Sequence, residues 1–249
     1  MRKKTAAKHA LRTKSGRRDI RNTILLRLSA SDRHSVVSKV QFVDLPTHTV
    51  LCEVGRPMEF VYFIDGGLAS VLAVMANGKS VEVGLAGKEG FIGLPILAGF
   101  ESGSTRVVMQ VGGSAHRMSA ASLKKLLVQH PQLKKGLFRH AQEMALQAEH
   151  IAACNRLHEV DERLARWLLM SHDRLRGKIV PLTQQYLSHM LGTRRASVSM
   201  AAAVLQKVGA ISYSRGNVTI NDRRKLEAAS CECYGKINRQ LQRWEAESK

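Results

Sequence analysis

Between residues 42 and 118 short apolar runs alternate with glycine-bearing turns: "HTVLCEV", "FVYFI", "ASVLAVM", "SVEVGLA" and "TRVVMQV". Runs of this length, rich in β-branched residues and bounded by turn formers, predict strands, and Asn77-Gly78 predicts a tight hairpin. Regularly spaced short strands predict an antiparallel sandwich or barrel. From Ser119 the period changes. "SAASLKKLLVQH" opens on a serine suited to cap a helix. Beyond Pro131, up to about residue 156, Leu133, Leu137, His140, Met144, Gln147, Ile151 and Cys154 fall at alternating spacings of four and three, which predicts one long helix whose seam seeks a partner helix. Another helix is predicted at about 160–173, and a short helical tail after Asp222.

The stretch 182–211, "LTQQYLSHMLGTRRASVSMAAAVLQKVGAI", holds two helical patterns that meet at one glycine. Thr183 is suited to cap a first helix burying Leu187, Met190 and Leu191, with small Ser188 leaving room for a crossing neighbour. Gly192 suits the left-handed conformation that ends a helix, and Thr193 is expected to cap a second helix burying Val198, Ala202 and Leu205. This is a helix-turn-helix pattern. Arg194, Arg195, Ala196, Ser197 and Ser199 then lie where a recognition helix presents side chains to base edges and phosphates. Next comes "AISYSRGNVTI", in which Ile211, Tyr213, Val218 and Ile220 flank a turn at 214–217, a hairpin wing with Arg215 at its tip.

Charge sharpens this picture. The 249 residues carry 39 Lys and Arg against 20 Asp and Glu, a formal net charge of +19, which favours a polyanionic partner. Residues 174–221 contain seven Lys or Arg and no acid, so the helix-turn-helix segment offers an unopposed positive field to a phosphate backbone. Residues 1–22 hold nine Lys or Arg with little apolar content and read as a disordered arm. No apolar run approaches the ~18 residues of a membrane span, and Arg27 interrupts "ILLRL", so a cytoplasmic protein without a membrane partner is expected. The four cysteines are too scattered for a disulfide framework, and reduced thiols are expected.

The order of β domain, long seam helix and winged helix resembles the Crp/Fnr family of bacterial transcription regulators. "VYFIDGGLASVLAVMANGKSVEVGLAGKEGFIG" is similar to the core of the family's cyclic-nucleotide-binding jelly roll, and the 182–211 stretch is similar to its DNA-binding motif. The resemblance covers about 23–235. It implies an α+β protein: an antiparallel β jelly roll, a long dimerisation helix and a C-terminal winged helix. It also implies a homodimer that binds double-stranded DNA, with RNA polymerase as a further partner. The expected division is a basic arm at 1–22, the sensor-like β domain at 23–130, the dimerisation helix at 131–156, the winged helix-turn-helix at 157–235 and a tail at 236–249.

Departures from the family pattern matter equally. Family members that bind cyclic AMP place a glutamate after the glycine of "FIG" to anchor the ribose, whereas this chain has Leu94. Where they place Arg followed by Ser or Thr for the cyclic phosphate, it has Ser104 and Thr105, with Arg106 one place late and so directed to the opposite strand face. Gly90, Gly93, Leu94, Ser104 and Thr105 therefore mark an effector pocket expected not to take cyclic AMP; the turn amides near Gly90 and Gly93 are its remaining means of holding an anion. Arg195 occupies the position of a base-reading arginine, but Ala196 and Met200 replace a glutamate and a second arginine, which implies a changed target. No cysteine precedes Cys52, so the N-terminal iron–sulfur ligands of oxygen-sensing members are missing and no cofactor is expected. His150, Cys154 and His158 recur at four-residue steps and are the candidate metal donors, but the spacing alone predicts no metal site, and the separate Cys231-x-Cys233 pair predicts one even less. The segment 82–106 has no His or Cys, and Glu82, Glu89 and Glu101 form no acid–base pattern, so no enzyme is expected. The alternatives are a sequence-indifferent chromosome-coating protein and a true cyclic-nucleotide-responsive regulator.

Overall fold

The computed structural model describes residues 19–175, 177, 179–214 and 216–247. Two short helices, α1 (Thr23–Leu26) and α2 (Ala30–Val37), precede an antiparallel β-roll. Its strands are β1 (Gln41–Leu45), β2 (Val50–Cys52), β3 (Phe60–Val74), β4 (Ser80–Ala86), β5 (Phe91–Ile92) and β6 (Arg106–Ser119), with the short helix α3 (Leu94–Leu97) between the last two. They pair in the order β1-β6-β3-β4, with β2 on β6 and β5 on β3. The runs read as separate strands at "FVYFI" and "ASVLAVM" join into the one strand β3, whose register with β6 slips around Gly66. Gly67, at φ +84°, comes so close to the Val111 and Gly112 carbonyls that a side chain there would collide with them. The Asn77-Gly78 turn closes the β3–β4 hairpin: Gly78 has φ +79°, and Met75 N–H donates to the Lys79 carbonyl at 2.8 Å.

Residues 1–18 of the basic arm lie outside the described residues. Its last residue departs from the expected disorder. Asn22 is buried, accepts from the amides of Ile24 and Leu25 as N-cap of α1, and donates to the carbonyls of Ile64 and Gly90. Asp65 accepts from the amides of Arg21 and Asn22 and pairs with His116 at 2.6 Å, so the arm's end is fastened to the roll.

Helix α4 (Ala120–Gln129), capped by Ser119, leads into α5 (Pro131–Leu157), the long helix. Its seam is not the free surface that the spacing suggested. Leu133, Leu137, His140, Gln147, Ile151 and Cys154 are buried within their own chain, and Met144 is half-buried with its Cε over Gly84 of β4. Periodicity identifies a face to be covered but does not say by what, and here the same chain covers it. The outward face carries Phe138 (51% exposed) and the exposed Ala145 and Ala152, with half-buried Ala141 and Ala148 between them. That set also steps by three and four, one residue on from the expected seam.

Then come α6 (Val160–Leu175), β7 (Ile179–Pro181), α7 (Gln184–Met190), α8 (Arg195–Lys207), β8 (Ile211–Ser214), β9 (Asn217–Ile220), α9 (Arg223–Ala228) and α10 (Glu232–Ala246). Strands β7, β9 and β8 form a second small antiparallel sheet. Two cores result, one inside the roll and one joining α6, α7, α8 and the small sheet to Leu68, Leu72, Leu85 and Val108 of the roll. No helix among the described residues is long and apolar enough to cross a membrane.

Candidate nucleic-acid interface and sensor pocket

Thr183 caps α7, its hydroxyl accepting from Tyr186 N–H at 3.2 Å. Leu187, Ser188, Met190 and Leu191 are buried, and Gly192 turns the chain at φ +60°, with Val81 of β4 close enough to contact any side chain placed there. Thr193 does not cap α8 as the sequence suggested. The helix begins one residue later, with Arg194 as N-cap and no capping side chain, while Thr193 N–H donates back to the Ser188 carbonyl at 3.0 Å to close α7. The first turn of α8 therefore keeps unpaired amides beside two arginines, an arrangement suited to phosphate.

Val198, Ala201, Ala202 and Leu205 anchor α8 in the core. Arg194, Arg195 and Ala196 are exposed and Ser197 is half-buried. Ser199 is engaged within the motif, its single hydroxyl proton shared between Gln184 Oε1 at 2.8 Å and the Arg195 carbonyl at 3.1 Å. Sequence reasoning missed how apolar the rest of this face is: Met200 (65% exposed) and Val204 stand beside exposed Ala203, and apolar groups in a major groove contact thymine methyls. The wing pairs Ile211 with Ile220 and Tyr213 with Val218, and Tyr213 Oη donates to the Leu182 carbonyl at 3.0 Å, holding the wing to the start of α7. Arg215, assigned to the wing tip, lies outside the described residues.

A cavity of about 300 Å³ opens between the roll and α5, lined by Gly93, Leu94 and Thr105 of the expected effector pocket. Cys52, Met58, Val71, Val83, Phe91, Ile92, Val107, Ala141, Met144 and Ala145 complete most of its wall, and no lining residue is charged. Ser104 and Gly90 do not line it. Arg106 points away and pairs with Glu53 at 2.7 Å on the exposed side. The amides around Gly90 are already used, since Gly90 N–H donates to the Gly87 carbonyl and Phe91 N–H to His140 Nε2 at 3.1 Å. Burial, together with the Glu53 charge, pushes the Cys52 thiol up, so it stays neutral.

Strand β4 joins the two regions. Trp167 of α6 donates its indole N–H to Glu82 Oε1 at 2.7 Å, and Arg174 Nε lies 2.6 Å from Glu89 Oε1. Burial pushes Glu82 up to about 7 against the Trp167 hydrogen bond and the nearby Arg166 and Arg174 charges that favour its charged form. Of the candidate metal donors, Cys154 and His158 do come together, and Cys231 and Cys233 join them; His150 does not.

A β-roll joined through one long helix to a winged helix-turn-helix with a basic start to its second helix defines a class of fold. The family model for a Crp-like helix-turn-helix domain matches residues 162–229. FixK2 from Bradyrhizobium japonicum shares the fold with a TM-score of 0.67 at 17% identity, over 77% of this chain and 98% of that one. CLP from Xanthomonas campestris, named as a c-di-GMP responsive global regulator, has a TM-score of 0.66 at 16% identity, over 78% of this chain and all (100%) of that one. A CooA mutant from Carboxydothermus hydrogenoformans has a TM-score of 0.55 at 14% identity, over 78% and 89% of the two chains. Comparison with curated protein sequences gives no match. The chain thus has the Crp/Fnr fold and carries a Crp-like helix-turn-helix domain, as the sequence resemblance implied.

Proposed function

We propose that the protein is a homodimeric, sequence-specific transcription regulator that acts on cytoplasmic double-stranded DNA and works with RNA polymerase. The observation that carries this reading is the exposed, acid-free start of α8, where Arg194, Arg195 and Ala196 project from a helix whose opposite face is locked into the core. Arg195 reads a base edge; Arg194, the free amides of the first turn, Thr183 and the Arg215 wing tip hold phosphates. Ser197 and Ser199 border the contact, and the apolar patch at Met200 shifts preference toward thymine. Dimerisation uses the outward stripe of α5, where Phe138 and four alanines let two helices approach closely and place two α8 helices in successive major grooves.

The β-roll does not respond to cyclic AMP. A cyclic phosphate in the 300 Å³ cavity would meet Leu94 and Thr105 and no cation, and burying an unpaired charge is strongly disfavoured. Its lining suits a small, apolar, uncharged effector, or serves as scaffold alone.

Selection of bound sequences from random duplex DNA tests the whole reading. The expected result is an enriched pseudo-palindrome with half-sites centred about 10–10.5 base pairs apart, resistant to competition by unrelated DNA. A protein that enriches nothing and is displaced equally by any duplex is the charge-held coating protein instead.

A further inference from the structure

Cys154 and His158 stand one turn apart where α5 ends, His158 being its C-cap; Cys231 is the N-cap of α10, and Cys233 lies in that helix's first turn. Although 77 residues separate Cys154 from Cys231, the fold brings three thiol sulfurs and one imidazole nitrogen within 4.8 Å of one another. Cys154 Sγ lies 3.4 Å from Cys231 Sγ, and Cys233 Sγ lies 3.7 Å from His158 Nδ1. A tetrahedral zinc ion with Zn–S of ~2.3 Å and Zn–N of ~2.0–2.1 Å has S···S edges of about 3.8 Å and S···N edges of about 3.6 Å. Both observed edges are close to these, so an ion at the centroid needs only small side-chain adjustments.

The surroundings point the same way. The three cysteines are buried as a cluster of their own, shielded from water. Two buried arginines of α6, Arg163 and Arg166, are charge neighbours of Cys154, and among the described residues neither forms an ion pair with a carboxylate. The Nε of each has no hydrogen-bond partner. A buried guanidinium group without a counter-charge is costly. Arg166 has the buried Glu82 carboxyl within electrostatic reach, but Arg163 has only the cysteines and Arg166 as charge neighbours, and three thiolates with a neutral imidazole around a dication leave one net negative charge to serve it. The N-terminus of α10 adds a favourable dipole for the thiolates of Cys231 and Cys233. The set is too compact for a two-iron cluster, whose ligands divide between separate iron atoms.

We propose that Cys154, His158, Cys231 and Cys233 bind one Zn²⁺ in a closed tetrahedral site that clamps the start of α10 to the junction of α5 and α6. All four positions are filled by protein, as in structural rather than catalytic zinc sites. The junction is where the DNA-binding unit leaves the long helix, since α6 begins at Val160. The bound ion therefore fixes the angle between them, and it does so whether or not the DNA-binding reading is correct.

Full-length protein purified under reducing conditions with Zn²⁺ present, then dialysed, should hold about one zinc per chain. Titration of the stripped protein with Co²⁺ should give the visible bands of a tetrahedral ion with thiolate-to-cobalt charge transfer. Cys154→Ser, Cys233→Ser and His158→Ala should each weaken Co²⁺ binding by more than the roughly 10–100-fold cost of losing a mere supporting partner, while His150→Ala binds like the parent chain. Removing the metal from the parent chain with a chelator provides a comparison that no misfolded variant can confuse. Its melting temperature should fall by at least about 5 °C and recover with Zn²⁺. The proposal is overturned by folded, reduced protein that retains no metal, by an octahedral cobalt spectrum, or by a Cys154–Cys231 disulfide found by mass spectrometry in freshly purified, metal-free protein.

Discussion

The two faces of α5 should fail in different ways. Leu137 is 0% exposed in the core of the roll, and Leu→Ala at such a site costs about 2–5 kcal/mol from lost transfer energy and the cavity left behind. At ~2–4 °C per kcal/mol for a chain of this size, the melting temperature of Leu137→Ala should drop by roughly 4–20 °C. Ala145 is exposed on the outward stripe although it also borders the cavity, so a glutamate there can reach solvent and Ala145→Glu should change the stability of the chain itself by no more than about 0.5 kcal/mol. Two copies of that glutamate facing each other across a dimer axis at ~6–8 Å repel by about 2–3 kcal/mol at an effective dielectric constant near 20, a roughly 30- to 150-fold loss of dimer affinity. Lost close packing adds to this. Sedimentation velocity over a concentration series reads the second effect, and melting at a concentration well below the dimer Kd, where the chains are monomeric, isolates the first. If Leu137→Ala dissociates the dimer at unchanged stability while Ala145→Glu remains fully dimeric, the assignment of the two faces is reversed and the reasoning fails.

Calorimetry with millimolar cyclic AMP or cyclic GMP should detect no binding and no gain in DNA affinity; micromolar binding coupled to tighter DNA binding would restore the receptor reading. Arg195→Ala should lose about 1–3 kcal/mol on the selected site and relax preference at one position of each half-site, whereas Arg215→Ala should weaken all duplexes and flatten the salt dependence. Equal losses on specific and random DNA for both variants would reject this division of roles. Because burial raises the Glu82 pKa from 4.5 to about 7, the folded chain binds more protons than the unfolded one in that window, and stability should decline as pH rises from about 4.5 to 7 and then level off. Glu82→Gln keeps an acceptor for Trp167, so it should flatten that slope and raise stability at pH 8 by on the order of a few kcal/mol; an unchanged pH profile would show that Glu82 is not the group responsible.

The helix-turn-helix was legible because its signals are local. Thr183 as cap, Gly192 at positive φ and the buried spacing of Val198, Ala202 and Leu205 each depend on neighbours within a few residues. The wing was legible for the same reason, since Ile211 and Ile220 are near in sequence and alternate with period two. Thr193 misled because either of two adjacent residues can precede a helix, and the closing bond from its amide to Ser188 decided between them. The seam of α5 misled for a deeper reason. A long helix can carry two apolar stripes, and the one with large side chains is claimed first by whatever surface its own chain offers. The Cys154–Cys231 meeting and the Trp167–Glu82 bond were hidden entirely, since they join segments 77 and 85 residues apart.

Strand β4 shows why cavity and recognition helix cannot be treated as separate devices. Strict alternation would send Glu82 and Leu85 to opposite faces, yet both are buried against the DNA-binding unit. The register slip between Val71 and Leu72 accounts for this: Glu82 pairs with Leu72 and Gly84 with Val71, which leaves Val83 as an extra residue. An extra residue in one strand restarts the alternation. Val83 and Ala86 then face the cavity, while Glu82 and Leu85 reach Trp167 and the second core. The same strand brings Val81 up to the turn at Gly192, just ahead of α8. A molecule entering the cavity touches β4, which packs against α6 and α7, and the Ala141–Ala148 segment of α5. An occupant that interacts equally with every position of β4 and α5 shifts no equilibrium, however tightly it binds. Only one that favours a displaced β4 or α5 can be felt at Arg194 and Arg195, and it must do so against the bond that holds Trp167 to Glu82.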